Sequence, residues 1–248
     1  MPVIGCSCAV CTSADPRDQR LRTAALVRFE GKAIAMDCGP DFRQQMLRAG
    51  VQSLDAILMT HEHNDHIIGM DDVRPFNFRN KTDMPVYCTQ RVAKELEVRF
   101  AYIFESENRY PGAPMVQRRI ITKDNPFEVC GLEILPVEVL HGRLPVLGFR
   151  IGDFAYLTDV RTIEEMELRK VLGVRHLVLN ALHHRGHPTH LNLEQALALI
   201  ERIAPERAYL THISHSMGLY EEVQQELPDN VILGYDGLSF SAVAGYRF

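Results

Sequence analysis

The sequence predicts a mixed α/β fold, with a sheet core covered by helices. Three observations predict it. The apolar residues fall in short segments, both ends read as strand hairpins, and strand and helix signals alternate in the middle. A chain of 248 residues, 46% hydrophobic and 24% charged, is long enough to bury one substantial core. No internal repeat, low-complexity segment or linker interrupts it, so residues 1–248 are read as a single domain. That core is built without Trp.

The elements follow in order. Residues 23–29 and 32–37 are short and apolar around Glu30-Gly31, which reads as a hairpin. Asp37-Cys38-Gly39-Pro40 breaks the second strand, and residues 41–49 read as a helix. Leu54–Met59 is a compact apolar run, a buried strand that ends in a polar cluster at Thr60. Val86–Cys88 is a strand and residues 90–99 a helix. The stretch 104–118, centred on Tyr110-Pro111-Gly112-Ala113-Pro114, is too rich in Pro and Gly for a helix and reads as a surface loop over a site. Residues 127–139, 146–151 and 154–158 read as strands, and Ile163–Val171 as a helix. A strand at His176–Leu179, a helix at Leu193–Ile203, a strand at Ala208–Leu210, a helix at 217–227 and a strand at 231–240 complete the chain.

Composition excludes several function classes. No apolar run approaches the length needed to span a bilayer. The start, Met1-Pro2-Val3-Ile4-Gly5-Cys6, lacks the basic region and apolar stretch of a signal peptide, so a cytoplasmic protein is expected. A net charge of −5 argues against a general nucleic-acid binder. The 11 His and 6 Cys stand out, and in a reducing compartment clustered cysteines point to metal ligands before disulfides.

His61-Glu62-His63-Asn64-Asp65-His66 directly follows the strand at 54–59. Residues i and i+2 of an extended segment share a face, so His61 and His63 can address one ion while Asp65 and His66 turn towards a second. Imidazole with carboxylate suits Zn(II), Mn(II) or Fe(II). His141, Asp159 and His212 each close an apolar strand, and ligands gathered from one sheet edge make a rigid site.

This pattern, His61-x-His63-x-Asp65-His66 followed by His141, Asp159 and His212, resembles the metallo-β-lactamase superfamily. The resemblance covers nearly the whole chain and implies a four-layered αββα sandwich with a dinuclear site at one edge of its two sheets. It implies His61, His63 and His141 on a first metal, Asp65, His66 and His212 on a second, and Asp159 bridging them. An Asp at position 159 matches phosphodiesterases, nucleases and thioester or lactone hydrolases of the superfamily; its β-lactamases lack that bridging carboxylate.

Cys6-Ser7-Cys8-Ala9-Val10-Cys11 offers three thiols within six residues, enough to wrap a tetrahedral Zn(II) if one more ligand arrives. His215, three residues after His212, is the candidate. Cys38, Cys88 and Cys130 are isolated and read as buried small apolar residues. The Cys-x-Cys-x-x-Cys with a His three positions beyond the last active-site His is similar to the PhnP-type phosphodiesterases. That resemblance implies a structural zinc on Cys6, Cys8, Cys11 and His215, clipping the start of the chain to a distant loop. It also implies hydrolysis of small, cyclic phosphodiesters, two active-site Mn or Zn ions (Fe fits the same donors), and a metal-bridging hydroxide as nucleophile. Tyr110-Pro111-Gly112-Ala113-Pro114 and Tyr235-Asp236-Gly237-Leu238 resemble segments of the same relatives.

His187-Pro188-Thr189-His190-Leu191 resembles the segment that carries the family's catalytic His. His190 is expected to protonate the leaving alkoxide, with His187 as its competitor. Asp65 is expected to orient the water or accept its proton, and Arg185 is a candidate phosphate contact. The expected partner is a small phosphodiester, without membrane or nucleic acid, and a homodimer is compatible with the resemblance. The alternatives are an RNA-processing nuclease of the tRNase Z type, a binding protein like the pyrroloquinoline-quinone accessory family, and a thioester or lactone hydrolase.

Overall fold

The computed structural model describes residues 1–105 and 110–243, and the chain divides into two compact units. One comprises Met1–Leu21 with Lys123–Phe248, and the other is the continuous segment Arg22–Thr122. The first unit opens with a single helical turn, α1 (Ala9–Thr12).

The continuous unit is built on a five-stranded sheet. The hairpin of β1 (Ala25–Phe29) and β2 (Lys32–Met36) is antiparallel, turning at Glu30 and Gly31, both at positive φ. After α2 (Phe42–Arg48), β3 (Ala56–Leu58) returns parallel to β2. The chain then passes through α3 (Asn64–Ile67), a 3-10 stretch over Ile68–Val73 and α4 (Arg74–Asn80). Next come β4 (Met84–Cys88), α5 (Gln90–Arg99), α6 (Ala101–Phe104) and β5 (Val116–Ile120). The strand order is β1-β2-β3-β4-β5. The apolar faces of α2 and α5 close the core: Phe42 and Met46, then Val92, Ala93 and Leu96, pack with Ile57, Met59 and Val86.

The other unit holds a seven-stranded sheet. Its elements are β6 (Phe127–Val129), β7 (Leu132–His141), β8 (Leu144–Ile151), β9 (Phe154–Leu157), α7 (Glu165–Arg169) and β10 (His176–Asn180). α8 (Leu193–Ile203), β11 (Arg207–Thr211), α9 (Tyr220–Glu226) and β12 (Val231–Leu233) follow. The order is β12-β11-β10-β9-β8-β7-β6. β9 to β12 run parallel and β6 to β9 antiparallel, so β7, β9 and β11 point the same way. α8 shows why a helix forms where it does. Leu193, Ala196, Leu199, Ile200 and Ile203 make one buried stripe, and Asn192 with Gln195 closes a capping box worth about 1 kcal/mol.

Most expected elements are present, and the helices at 90–99 and 193–203 carry the expected bounds. Four readings need correction. The loop expected at 104–118 contains β5 from Val116; residues 106–109 of that stretch lie outside the described residues. The strand expected over 127–139 is two strands, because Cys130 and Gly131 both take positive φ and turn the chain back. The helix expected over 217–227 starts at Tyr220, after a 3-10 turn at His215–Met217. The strand expected over 231–240 ends at Leu233. Among the described residues, no helix is long and apolar enough to cross a membrane.

Candidate metal centres

In the continuous unit the chain leaves β3 and stays extended through His63, whose ψ is 147°, before turning into α3. The alternation expected of an extended segment holds: His61 Nε2 and His63 Nδ1 meet at 3.1 Å, while Glu62 points to Arg91 on α5. That separation is what two nitrogens on one divalent ion would have, at about 2.0–2.1 Å from the metal each. α3 then brings His66 and Asp65 alongside. The His61 and His66 ring centres are 4.2 Å apart, and Asp65 Oδ2 lies 3.7 Å from His66 Nε2.

The protons on these rings are set by Asp37, a carboxylate that the sequence reading passed over as a strand breaker. Asp37 is fully buried and follows β2 at φ 65°. His66 Nδ1–H donates to its Oδ2 at 2.7 Å. The Thr60 hydroxyl donates to the same carboxylate at 2.8 Å. Having spent its one proton there, Thr60 Oγ1 accepts from His61 Nδ1 at 3.0 Å. Both histidines are left with an unprotonated Nε2 towards the cluster, the tautomer a metal needs. Close packing holds the Asp37 turn in place. Cys38 N–H donates to His66 O, Gly69 N–H donates to Cys38 O, and a Cβ on Gly39 would sit 2.1 Å from Asp65 O.

The other unit gathers its donors at one edge because β7, β9 and β11 run the same way and end in or next to His141, Asp159 and His212. Asp159 is the hub. Its Oδ1 lies 3.1 Å from His190 Nε2, 3.4 Å from His212 Nε2 and 4.0 Å from His141 Nε2. His141 Nδ1–H donates to Thr189 O at 2.8 Å, which again leaves Nε2 unprotonated. Burial holds the His141 imidazole below the ordinary histidine pKa, keeping it neutral. Asp159 at φ 59° and His212 at φ 53° share the left-handed backbone of Asp37, a conformation costing about 1 kcal/mol that clusters at functional sites. Buried Asn180, at the end of β10, holds the Asp159 turn by bonding Val160 N and Val160 O.

His190 is the residue that reaches Asp159, and His187 stands behind it. Thr189 N–H donates to His187 Nδ1 at 3.3 Å, so that atom is an acceptor, and His190 Nδ1 meets it at 3.1 Å as the donor. His190, His141 and Asp159 together lie close enough to share an ion, so His190 sits nearer the ligands than a residue standing apart from them. Arg185, the expected phosphate contact, is exposed on its loop.

The thiol cluster forms within the first unit. His215 Nδ1 lies 3.3, 3.5 and 3.4 Å from the sulfurs of Cys6, Cys8 and Cys11. Bonds of about 2.3 Å to sulfur and 2.0 Å to nitrogen around a tetrahedral Zn(II) give separations of this size. Hydrogen bonding, from the Cys11 backbone and then from His215, pulls the exposed Cys8 thiol down to about 6. Cys38 and Cys88 are buried, as expected of small apolar residues, and burial pushes Cys88 up to about 12. Cys130 differs: it is only partly buried, on the turn between β6 and β7.

Comparison with known proteins follows the same lines. The beta-lactamase superfamily domain matches residues 32–213. The crystal structure of a diphosphatase from the PhnP family is 38% identical and superposes with a TM-score of 0.89, covering 96% of this chain and 90% of that one. Zinc-bound PqqB from Methylobacterium extorquens shares the fold at 18% identity and TM-score 0.76, over 97% of this chain and 95% of that one. An octanoyltransferase from Porphyromonas gingivalis is 42% identical over 240 residues, which are 96% of this chain and 48% of that protein. A ribonuclease Z from Bradyrhizobium diazoefficiens is 47% identical over 62 residues, 24% of this chain and 21% of that protein. The chain thus spans about half of the octanoyltransferase and about a fifth of the ribonuclease Z.

Proposed function

The chain belongs to the metallo-β-lactamase superfamily and to its PhnP family, and from that membership we propose that it is a dinuclear metal-dependent phosphodiesterase acting on small, cyclic phosphodiesters. Its two sheets with their helices match the metallo-β-lactamase fold of these neighbours, and the superfamily is one of metal-dependent hydrolases. In this reading residues 1–248 work as one domain.

One observation carries the proposal: three histidines in two donor sets have their Nδ1 protons spent on Asp37, Thr60 and Thr189, so each presents an unprotonated Nε2. This fits a pair of divalent ions. His61, His63 and His141 would hold one, Asp65, His66 and His212 the other, and Asp159 both. Mn or Zn is the proposed pair, and Fe suits the same donors. The ions, when bound, would supply fixed positive charge for the phosphoryl oxygens and lower the pKa of water. Cys6, Cys8, Cys11 and His215 would hold a structural Zn, which their mutual distances support.

The chain's own residues do the rest. His190 is the proposed proton donor to the leaving alkoxide. With Nδ1–H engaged by His187, Nε2, on the Asp159 side, is the atom from which it would give a proton. Asp65, a third exposed, is the residue proposed to orient the attacking water or accept its proton.

Two second readings have specific support. The PhnP-family neighbour is a diphosphatase, which favours a phosphoanhydride, cleaved by the same attack at phosphorus. The octanoyltransferase relative favours an acyl thioester. RNA processing has ribonuclease Z relatives, one 47% identical over 62 residues and another 25% identical over 187, set against a net charge of −5. A binding role of the kind expected for the pyrroloquinoline-quinone accessory family has only the fold shared with PqqB at 18% identity.

The test is turnover by metal-stripped protein reloaded separately with Mn, Zn and Fe. The panel is a cyclic diester, bis(p-nitrophenyl) phosphate, a diphosphate diester, an octanoyl thioester and a tRNA precursor. The cyclic diester is expected to turn over fastest, and His190→Ala to lower turnover by about 10²-fold or more with metal content unchanged. Hydrolysis of the thioester alone would overturn the phosphoryl reading.

A further inference from the structure

We propose that Arg22 is a substrate-binding residue of this centre, gripping the non-bridging oxygens of a phosphoryl group. This rests on the phosphoryl-hydrolase reading above and adds the residue that recognises its anion.

Arg22 is held by both of its own backbone polar groups. Its N–H donates to Asp41 Oδ2 at 2.7 Å, and its carbonyl accepts from Gln45 Nε2 at 2.6 Å. Asp41 is the N-cap residue of α2, yet its side chain makes no capping bond to that helix. A helix start normally gains about 1 kcal/mol from such a bond, and here the carboxylate serves Arg22 instead. The Arg22 Cβ lies 3.7 Å from where a Cβ on Gly39 would stand, so the residue is seated against the Asp37–Pro40 turn that packs on Asp65.

From this clamped backbone the guanidinium reaches the donor cluster. Arg22 Nη1 stands 3.9 Å from Asp65 Oδ2, an ion pair too long for a hydrogen bond, and the side chain is 42% exposed. Other arginines of the same unit end on backbone carbonyls: Arg28 on Ala49, Arg79 on Gln52 and Arg99 on Glu62. Those brace the fold. Arg22 has its main chain fixed, its charge solvent-accessible and its head beside a proposed metal ligand. A planar fork of donors in that setting suits a tetrahedral oxyanion, which it can bind through two oxygens at once.

The experiment uses metal-reconstituted protein. It measures steady-state turnover of bis(p-nitrophenyl) phosphate, competitive inhibition by inorganic phosphate, and metal content. Losing a charge-assisted pair of hydrogen bonds, Arg22→Gln is expected to raise KM and the phosphate inhibition constant together by about 10- to 100-fold. The effect on kcat should be smaller, and metal content unchanged. Arg22→Lys, which keeps the charge but not the fork, should recover part of both and also covers poor folding of the Gln variant. Unchanged KM and inhibition constant would overturn the proposal. So would a rise accompanied by loss of metal, because Arg22 would then act only through Asp65. Phosphate binding by calorimetry needs no turnover, so it tests Arg22 even if no diester is hydrolysed. Weaker binding to Arg22→Gln supports the proposal and equal binding overturns it.

Discussion

Asp37 governs two histidines at once, one directly and one through the Thr60 hydroxyl. An amide in its place can offer N–H where an acceptor is needed, releasing His66 to the wrong tautomer. Asp37→Asn is therefore expected to weaken metal binding about 10- to 100-fold in a chelator competition. The φ of 65° does not confound the test, because Asn takes left-handed backbone as readily as Asp. The cysteines divide in a similar way. Cys8, exposed and pulled down to about 6, is a thiolate at neutral pH, while Cys88 is held up at about 12 by burial. In zinc-stripped protein, Cys8 should be alkylated at neutral pH and lose reactivity only as pH falls through about 6, with Cys88 silent until unfolding. Peptide mapping of the alkylated sites checks both. The donors were legible in the sequence because histidines and carboxylates recur directly after apolar strands. Asp37 was not, because its role depends on β2 lying parallel beside β3, which brings it to Thr60.

At the scale of elements, α5 does more than cover its sheet. Arg91 near its start pairs with Glu62, and Arg99 at its end donates to Glu62 O and Asn64 Oδ1. The segment carrying His61 and His63 is thus held from behind by one helix. Arg99→Met should speed metal release measurably in a stopped-flow chelator assay. Arg79→Met, which removes a similar bond to a carbonyl elsewhere, should not. Helices such as α5 and α8 were legible because their buried stripes follow the helical period. β5 was not: Val116-Gln117-Arg118-Arg119-Ile120 is an edge strand with four exposed residues, so alternation leaves no trace in it. The turn separating β6 from β7 was missed because Cys130 itself adopts left-handed backbone beside Gly131, a conformation its side chain does not advertise.

At the scale of the molecule, residues 1–21 are tied to the unit that ends the chain. The thiols meet His215, Asp18 accepts from Tyr220 N, Arg20 donates to Gly234 O, and Leu21 N to Asp236. Cys6 and His215 are 209 positions apart, so a zinc there closes a very long loop. Cys8→Ser is expected to remove one Zn per chain and lower the melting temperature by roughly 10 °C, on the scale of other cross-links closing long loops. Elemental analysis beside calorimetry checks it, and unchanged values for both would remove the structural zinc from the proposal.

The interruption of one unit by the other also imposes a calendar on synthesis. A ribosome releases Arg22–Thr122 whole long before it reaches His215, so the central segment can fold while the opening residues still wait for their partners. Throughout that interval Cys6, Cys8 and Cys11 travel without His215. Newborn chains should therefore be the form most easily poisoned by thiol-seeking metals and oxidants, and finished molecules the most resistant.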